Sequence, residues 1–314
     1  MSSRPFAPRT GDCACPPGAL AALVVFVLFA PSAGGAELKP GPQGPLEPAA
    51  MVNRLRQQEH RVPVTARDGN QHLMQAQLTL PDGNGPWPGV VITHGSPRQP
   101  ADRAKRDSMP ATALWFAEQG FAVLNLTRRG YGQSEGGYVE GFGKCESPNY
   151  LAAGNTTARD LAAAVQYLKA QSFVDPRRIV VAGISAGGWG VVALAALNPE
   201  GVVLGLNFGG GRGSQSEGQV CRPEAMFDAL ATWGRAAKTP TYWVYAENDL
   251  YWGPELPKKM FQAYRAGGAP AEFWGTPAYP YHRDGHVQFR HNRGPDAWGA
   301  KLAEYLKQFP GLAR

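Results

Sequence analysis

RIVVAGISAGGWGVVALAAL, Arg178–Leu197, decides the fold. Residues 179–184 form a short continuous apolar run, the pattern of a strand buried on both faces. After Ser185 come Ala186, Gly187 and Gly188, then an unbroken helical stretch to Leu197. A buried strand that becomes a helix at one serine, inside Gly-x-Ser-x-Gly, has the form of a nucleophile elbow. Such a serine sits in a strained backbone conformation at the turn. Its flanking glycines, having no Cβ, let the helix and neighbouring strands approach closely.

The pattern occurs twice, and with 39 glycines in 314 residues a chance match carries little weight. GQSEG, 132–136, is the second. It is followed by EGGYVEGFGKCESP, where repeated glycine prevents a helix start. Ser134 therefore reads as a loop residue, and Ser185 as the nucleophile.

Working outward, 89–95, 121–127, 178–184, 202–208, 241–246 and 271–276 read as buried strands. Helical patterns lie between and after them at 111–119, 157–170, 186–197, 224–237, 254–266 and 296–309. Upstream, 61–66 and 72–80 alternate around Asp68-Gly69-Asn70 as a hairpin does. The expected class is α/β: a mostly parallel, mixed sheet of about eight strands with helices on both faces. Only Gly209–Pro223 separates the strand at 202–208 from the next helix, so no large cap is expected.

A serine hydroxyl needs a base to take its proton and an acid to orient that base. In this fold class they follow the serine in the order acid, then His. Asp249 lies just past the strand TYWVYA, at the sheet edge where catalytic groups gather, with Glu247 the nearby alternative. His286, in RDGHVQF, follows an Asp284-Gly285 turn. His282 is the second choice for the base, and His291, between Arg290 and Arg293, reads as solvent-facing. Acyl transfer also needs donors at the developing oxyanion. The expected donors are the backbone N–H groups of Ala186 and of Ser96, which follows His94-Gly95. His94 precedes the serine and reads as a structural residue of its loop.

Residues 1–36 read as an export signal: Arg4 and Arg9, then the apolar run Ala19–Ala30, then small residues to Ala36. As a helix that run would reach about 18 Å against a hydrocarbon core of roughly 30 Å; a retained anchor is the alternative. Residues 37–59 read as a Pro/Gly-rich linker with a short helix at Met51–Glu59, and 60–314 as one catalytic domain. Cys13 and Cys15 would leave with the signal. Export then predicts a disulfide between Cys145 and Cys221, against two buried free thiols.

The formal charge is +6, but the basic residues are scattered. The densest run, Arg98, Arg103, Lys105 and Arg106 with Asp102 and Asp107, reads as a solvated loop, not a nucleic-acid patch. Tyr131, Tyr138, Tyr251 and Trp252 flank the motifs and could line an aromatic pocket; Trp189 reads as core. No Cys/His cluster asks for a metal, and no cofactor is implied.

Together THGS, RRGYGQSEGG, GISAGG, AENDLYWGP and RDGH resemble the α/β-hydrolase superfamily, in its dienelactone-hydrolase-like and prolyl-oligopeptidase-like branch, over about residues 60–310. The resemblance implies a triad of Ser185, Asp249 and His286. Two departures stand out. Thr127 occupies a place where Asp often precedes Arg-Gly, and dienelactone hydrolases proper use Cys where this chain has Ser185. The implied activity is a secreted or periplasmic serine hydrolase acting on carboxylic esters of small soluble substrates through an acyl-enzyme. The alternatives are a peptidase or amidase, a thioesterase or acyltransferase with the same triad, and a catalytically inactive binding module.

Overall fold

A computed structural model describes residues 57–105 and 107–312. The signal, most of the linker stretch and the first part of the expected helix at Met51–Glu59 lie outside the described residues.

Ten strands and six α-helices follow in order: β1 Gln57–Thr65, β2 Gln71–Thr79, β3 Trp87–Thr93, α1 Pro110–Glu118, β4 Ala122–Leu126, α2 Tyr150–Lys169, β5 Val174–Ile184, α3 Ala186–Ala195, β6 Val202–Phe208, β7 Ser214–Ser216, β8 Gln219–Val220, α4 Pro223–Ala236, β9 Thr241–Ala246, α5 Leu256–Ala266, β10 Ala271–Thr276 and α6 Gly294–Leu306. Eight strands form one sheet in the order β1-β2-β4-β3-β5-β6-β9-β10, and β7-β8 is a separate small hairpin. β2 is antiparallel to both β1 and β4; every pairing from β4 through to β10 is parallel. The fold class expected from the sequence is the one observed.

The sheet has two buried faces because its central strands alternate core residues between them. In β5, Ile179 and Val181 join the cluster under α2, α3, α4 and α5, while Val180, Ala182 and Ile184 join the one under α1 and α6. Burying a strand on both sides in this way requires the near-continuous apolar runs seen in the sequence. The connection from β6 to α4 carries only the β7–β8 hairpin.

Three boundaries differ from expectation by four residues or more. Residues 57–59 are not helical: Gln57 opens β1, paired with Thr79. Their alternation, with His60 buried under Tyr167, is that of a strand. β5 starts four residues early, at Val174, because Val174 pairs with Trp87 before a register shift. α2 starts at Tyr150, seven residues before the expected Thr157. The Asn149 side chain caps it by accepting from the Ala152 N–H at 2.9 Å. Gly154, which argues against helix by propensity, is needed there: a Cβ would lie 2.3 Å from the Trp233 ring.

Candidate active site

Ser185 stands between β5 and α3 with φ 54° and ψ −121°, a conformation that L-residues avoid. The cost is met by packing around the bend. A Cβ on Gly183 would lie 2.6 Å from the Gly187 backbone, and one on Gly187 2.5 Å from the His94 carbonyl. Backbone bonds also hold the bend: Ser185 N–H donates to Phe208 O at 3.0 Å, and Gly211 N–H donates to Ser185 O at 3.1 Å. The side chain remains reachable, with the residue 8% exposed.

The two partners expected from the sequence meet. Asp249 and His286 are both buried, and His286 Nδ1 lies 2.9 Å from Asp249 Oδ2. The other oxygen, Oδ1, accepts the N–H groups of Tyr251 at 2.8 Å and Trp252 at 3.2 Å. The turn it makes fixes Asp249 in place, with Oδ2 set to accept a proton donated from the imidazole Nδ1. Nε2, on the far side of the ring, has no hydrogen-bond partner among the described residues. Ser185 and His286 line one cleft of about 560 Å³. Glu247, the alternative acid, is exposed.

The loops carrying the acid and the base are stitched together. Asp284 Oδ1 accepts the N–H groups of His286 at 2.9 Å and Leu250 at 3.0 Å. Asn248 accepts the Tyr279 N–H at 2.7 Å and donates to the carbonyls of Tyr279, His282 and Arg283. Tyr251 stacks on the His286 ring with centroids 4.0 Å apart and planes 13° apart, and the Arg98 guanidinium lies 3.8 Å over the Tyr251 ring. His282 is exposed and engaged with the Asp284 backbone, whereas His291 bonds the Tyr279 hydroxyl at 2.8 Å.

The loop after β3 comes up beside the serine: a Cβ on Gly95 would lie 3.0 Å from that of Ser185. Ser96 lines the clefts on both sides of Ser185, and Ala186 lines one of them. His94 holds the loop's shape. Its Nδ1 donates to Gly95 O at 2.6 Å and its Nε2 accepts from Arg128 N–H at 3.1 Å. Burial first, and the Arg128 charge second, hold its pKa down to about 3, so it stays neutral.

A buried network behind this loop was not legible in the sequence. Glu140 receives Arg128 through two nitrogens at 2.9 Å, Arg212 at 3.2 Å, the Thr157 hydroxyl at 2.7 Å and the Tyr131 hydroxyl. Burial alone would raise the Glu140 pKa; Arg128 and Arg212 outweigh it and hold the carboxyl well below its usual range. Arg128 also donates to the Thr93 hydroxyl at 2.8 Å and to the His94 carbonyl. Arg128, directly after Thr127, thus anchors the loop that carries Ser96. Arg129 pairs with Asp160 at 2.7 Å.

The remaining expectations sort as follows. Ser134 is a structural loop residue, donating to Thr127 O at 2.6 Å and accepting from Gln75 N–H at 2.8 Å. Trp189 is core and donates to Tyr150 O. Tyr138, Tyr251 and Trp252 line one cleft, and Tyr131 lines the other with Tyr251. Cys145 and Cys221 are joined, Cα–Cα 5.0 Å. The basic run is, from Arg98 to Lys105, only partly a solvated loop. Lys105 pairs with Asp102 in solvent, but Arg98 and Arg103, on either side of the start of the 3-10 turn Pro100–Ala104, line a cleft at the serine.

Comparison with known proteins gives the following. The description of the X-Pro dipeptidyl-peptidase (S15) family matches residues 68–206. The quorum-quenching protein AidA of Acinetobacter baumannii (strain MDR-ZJ06) is 30% identical over 129 residues, 41% of this chain and 38% of AidA, so the likeness spans well under half of that relative. The Pyrococcus furiosus esterase Pf2001 superposes with a TM-score of 0.54 at 16% identity, covering 85% of this chain and 97% of that one. A Mycobacterium tuberculosis puromycin-hydrolyzing peptidase superposes with a TM-score of 0.52 at 14% identity, covering 82% of this chain and 40% of that one. At these identities the structural likeness is one of fold.

Proposed function

We propose that this chain, a member of the α/β-hydrolase superfamily, is a serine hydrolase that cleaves carboxylic esters of small molecules through an acyl-enzyme. One observation carries the reading: the elbow serine and His286, which is paired with buried Asp249, line the same cleft, and the second imidazole nitrogen has no hydrogen-bond partner among the described residues. The Ser185 hydroxyl adds to the ester carbonyl while His286 Nε2 takes its proton. Asp249 holds the Nδ1–H and stabilises the imidazolium that forms. The oxyanion rests on the N–H groups of Ala186 and Ser96. His286 returns its proton to the departing alcohol oxygen, and the acyl group stays on Ser185. Water, deprotonated by the same imidazole, then releases the acid. Nε2 has no hydrogen-bond partner among the described residues; catalytic bonds of this kind often tighten only when substrate is bound.

A peptidase reading draws support from the S15 family match. A dipeptidyl-peptidase, however, holds an acyl half that ends in an ammonium group, and the cleft beside Ala186 offers arginines and no carboxylate. An ester substrate fits better. Export to an oxidising compartment goes with this proposal, supported by the Cys145–Cys221 bridge. Among the described residues no helix is long and apolar enough to cross a membrane.

The test is labelling by a fluorophosphonate with turnover of short p-nitrophenyl esters. The wild type labels and turns over. Ser185→Ala abolishes the label and lowers kcat by about 10³-fold or more. Ser134→Ala keeps both. A label that survives Ser185→Ala, or its absence from the wild type, refutes the proposal.

A further inference from the structure

The cleft on the Ala186 side of Ser185 carries more positive charge than ester cleavage requires. Arg98, Arg103 and Arg212 line it, and among the described residues no carboxylate does. The Arg212 side chain is 3% exposed, yet it shares its one carboxylate, Glu140, with the equally buried Arg128. Its Nε is buried and has no hydrogen-bond partner among the described residues, and the same holds for the Nε of Arg103. Leaving a buried donor unsatisfied costs about 1–3 kcal/mol, more on a charged group. The other two guanidiniums are seated on aromatic rings, which fix their position without supplying a full negative charge. Arg103 lies 3.5 Å over Tyr138; Arg98 lies over Tyr251 and donates to the Ser214 hydroxyl at 2.9 Å.

Proton delivery decides which half of an ester enters this cleft. Ser185 lines both clefts, but His286 lines only the other one. The imidazolium must reach the departing oxygen, so the alcohol half lies on the His286 side. The acyl half then extends along Ala186 into the arginine-lined space of about 390 Å³.

Resting on the ester-hydrolase reading above, we infer that this cleft is an acyl subsite for a carboxylate, and that the preferred substrates are half-esters of dicarboxylic acids, with the free carboxylate held by Arg98, Arg103 and Arg212. A planar guanidinium matches a carboxylate through two parallel N–H bonds. Hydrolysis releases the alcohol and a dicarboxylate.

Two aryl esters test this: the p-nitrophenyl half-ester of glutaric acid, and the same compound with its free acid capped as a methyl ester. Rates are corrected for uncatalysed hydrolysis. The wild type is expected to show a kcat/KM about tenfold or more higher for the acid, as a charge-assisted pair provides, with an advantage that shrinks as salt is added. Arg98→Gln and Arg103→Gln each lower that ratio about tenfold. Arg177→Gln, an exposed charge at the opposite end of β5, leaves it unchanged. A ratio near or below one overturns the subsite and leaves the hydrolase reading standing. A high ratio that survives both cleft substitutions also overturns it. Labelling of Ser185 without turnover of either ester overturns it as well. Loss of both labelling and turnover instead refutes the parent reading, and the subsite falls with it.

Discussion

At the scale of single residues, the acid–base pair has a built-in sensitivity that the sequence did not announce. Gly209 has φ +52°, and a Cβ there would lie 3.1 Å from His286 Nδ1 and 3.2 Å from Asp249 Oδ2. Gly209→Ala is expected to push the two apart and to lower kcat at least tenfold with only a modest loss of stability, read by steady-state kinetics beside thermal melting. Asp249→Asn keeps the shape but presents a donor where His286 needs an acceptor. About 10⁴-fold in kcat should go with the wrong tautomer. That Ser185, Asp249 and His286 would come together was legible because each follows a local motif in a fixed chain order; their catalytic roles are the proposal. Arg212 and Glu140 were not legible, because they are 72 positions apart and no local periodicity records a pairing across that gap. The run GGGRG, 209–213, was the one available signal, since a lone arginine among glycines marks backbone crowded against something.

At the scale of elements, the elbow helix is placed by the absence of side chains. A Cβ on Gly190 of α3 would lie 2.2 Å from Thr157 Cγ2 of α2. Gly190→Ala gains helix propensity, about 1 kcal/mol, yet overpacking typically costs 1–3 kcal/mol and here meets a β-branched neighbour with little room to turn. The expected net is a lower Tm by circular dichroism, with weaker ester turnover because α3 carries Ala186. The same close packing explains why the start of α2 was misread. By propensity Gly154 and Asn155 belong to a loop; in the fold Gly154 makes room for Trp233, and Asn155 accepts its ring N–H at 2.9 Å. Strands were more legible than helix starts because a doubly buried strand has to be apolar throughout, whereas a cap is a single polar residue.

At the scale of the molecule, acid and reductant act on different parts. His60 is buried, which holds its pKa at about 4, below the usual 6.5; His94 behaves likewise at about 3. Each binds its proton more readily in the unfolded chain, so neither affects stability above pH 6.5. Below it, unfolding is increasingly favoured until the folded pKa is reached. For His60 this amounts to at most about 3 kcal/mol at pH 4. Tm should therefore fall between pH 7 and 4, and less steeply in His60→Gln. The Cys145–Cys221 bridge closes a loop with a sequence separation of 76. In the chain-entropy model this is worth about 4–5 kcal/mol as an upper value. The bridge joins the segment bearing Tyr138 and Phe142 to the one bearing Arg212, and all three residues line the arginine cleft. Mild reduction is expected to raise KM before the core melts; unchanged kinetics after complete reduction would contradict that.

Glu140 has a consequence for anyone mapping defects by screening. It ties the arm below Ser96 to the arm bearing Arg212, and it lies on neither cleft wall. Random mutagenesis scored by colony colour would place it alongside the triad, and its neutral replacement would be mistaken for a broken reaction step. Soluble yield and probe labelling, measured in parallel, would reveal a keystone instead.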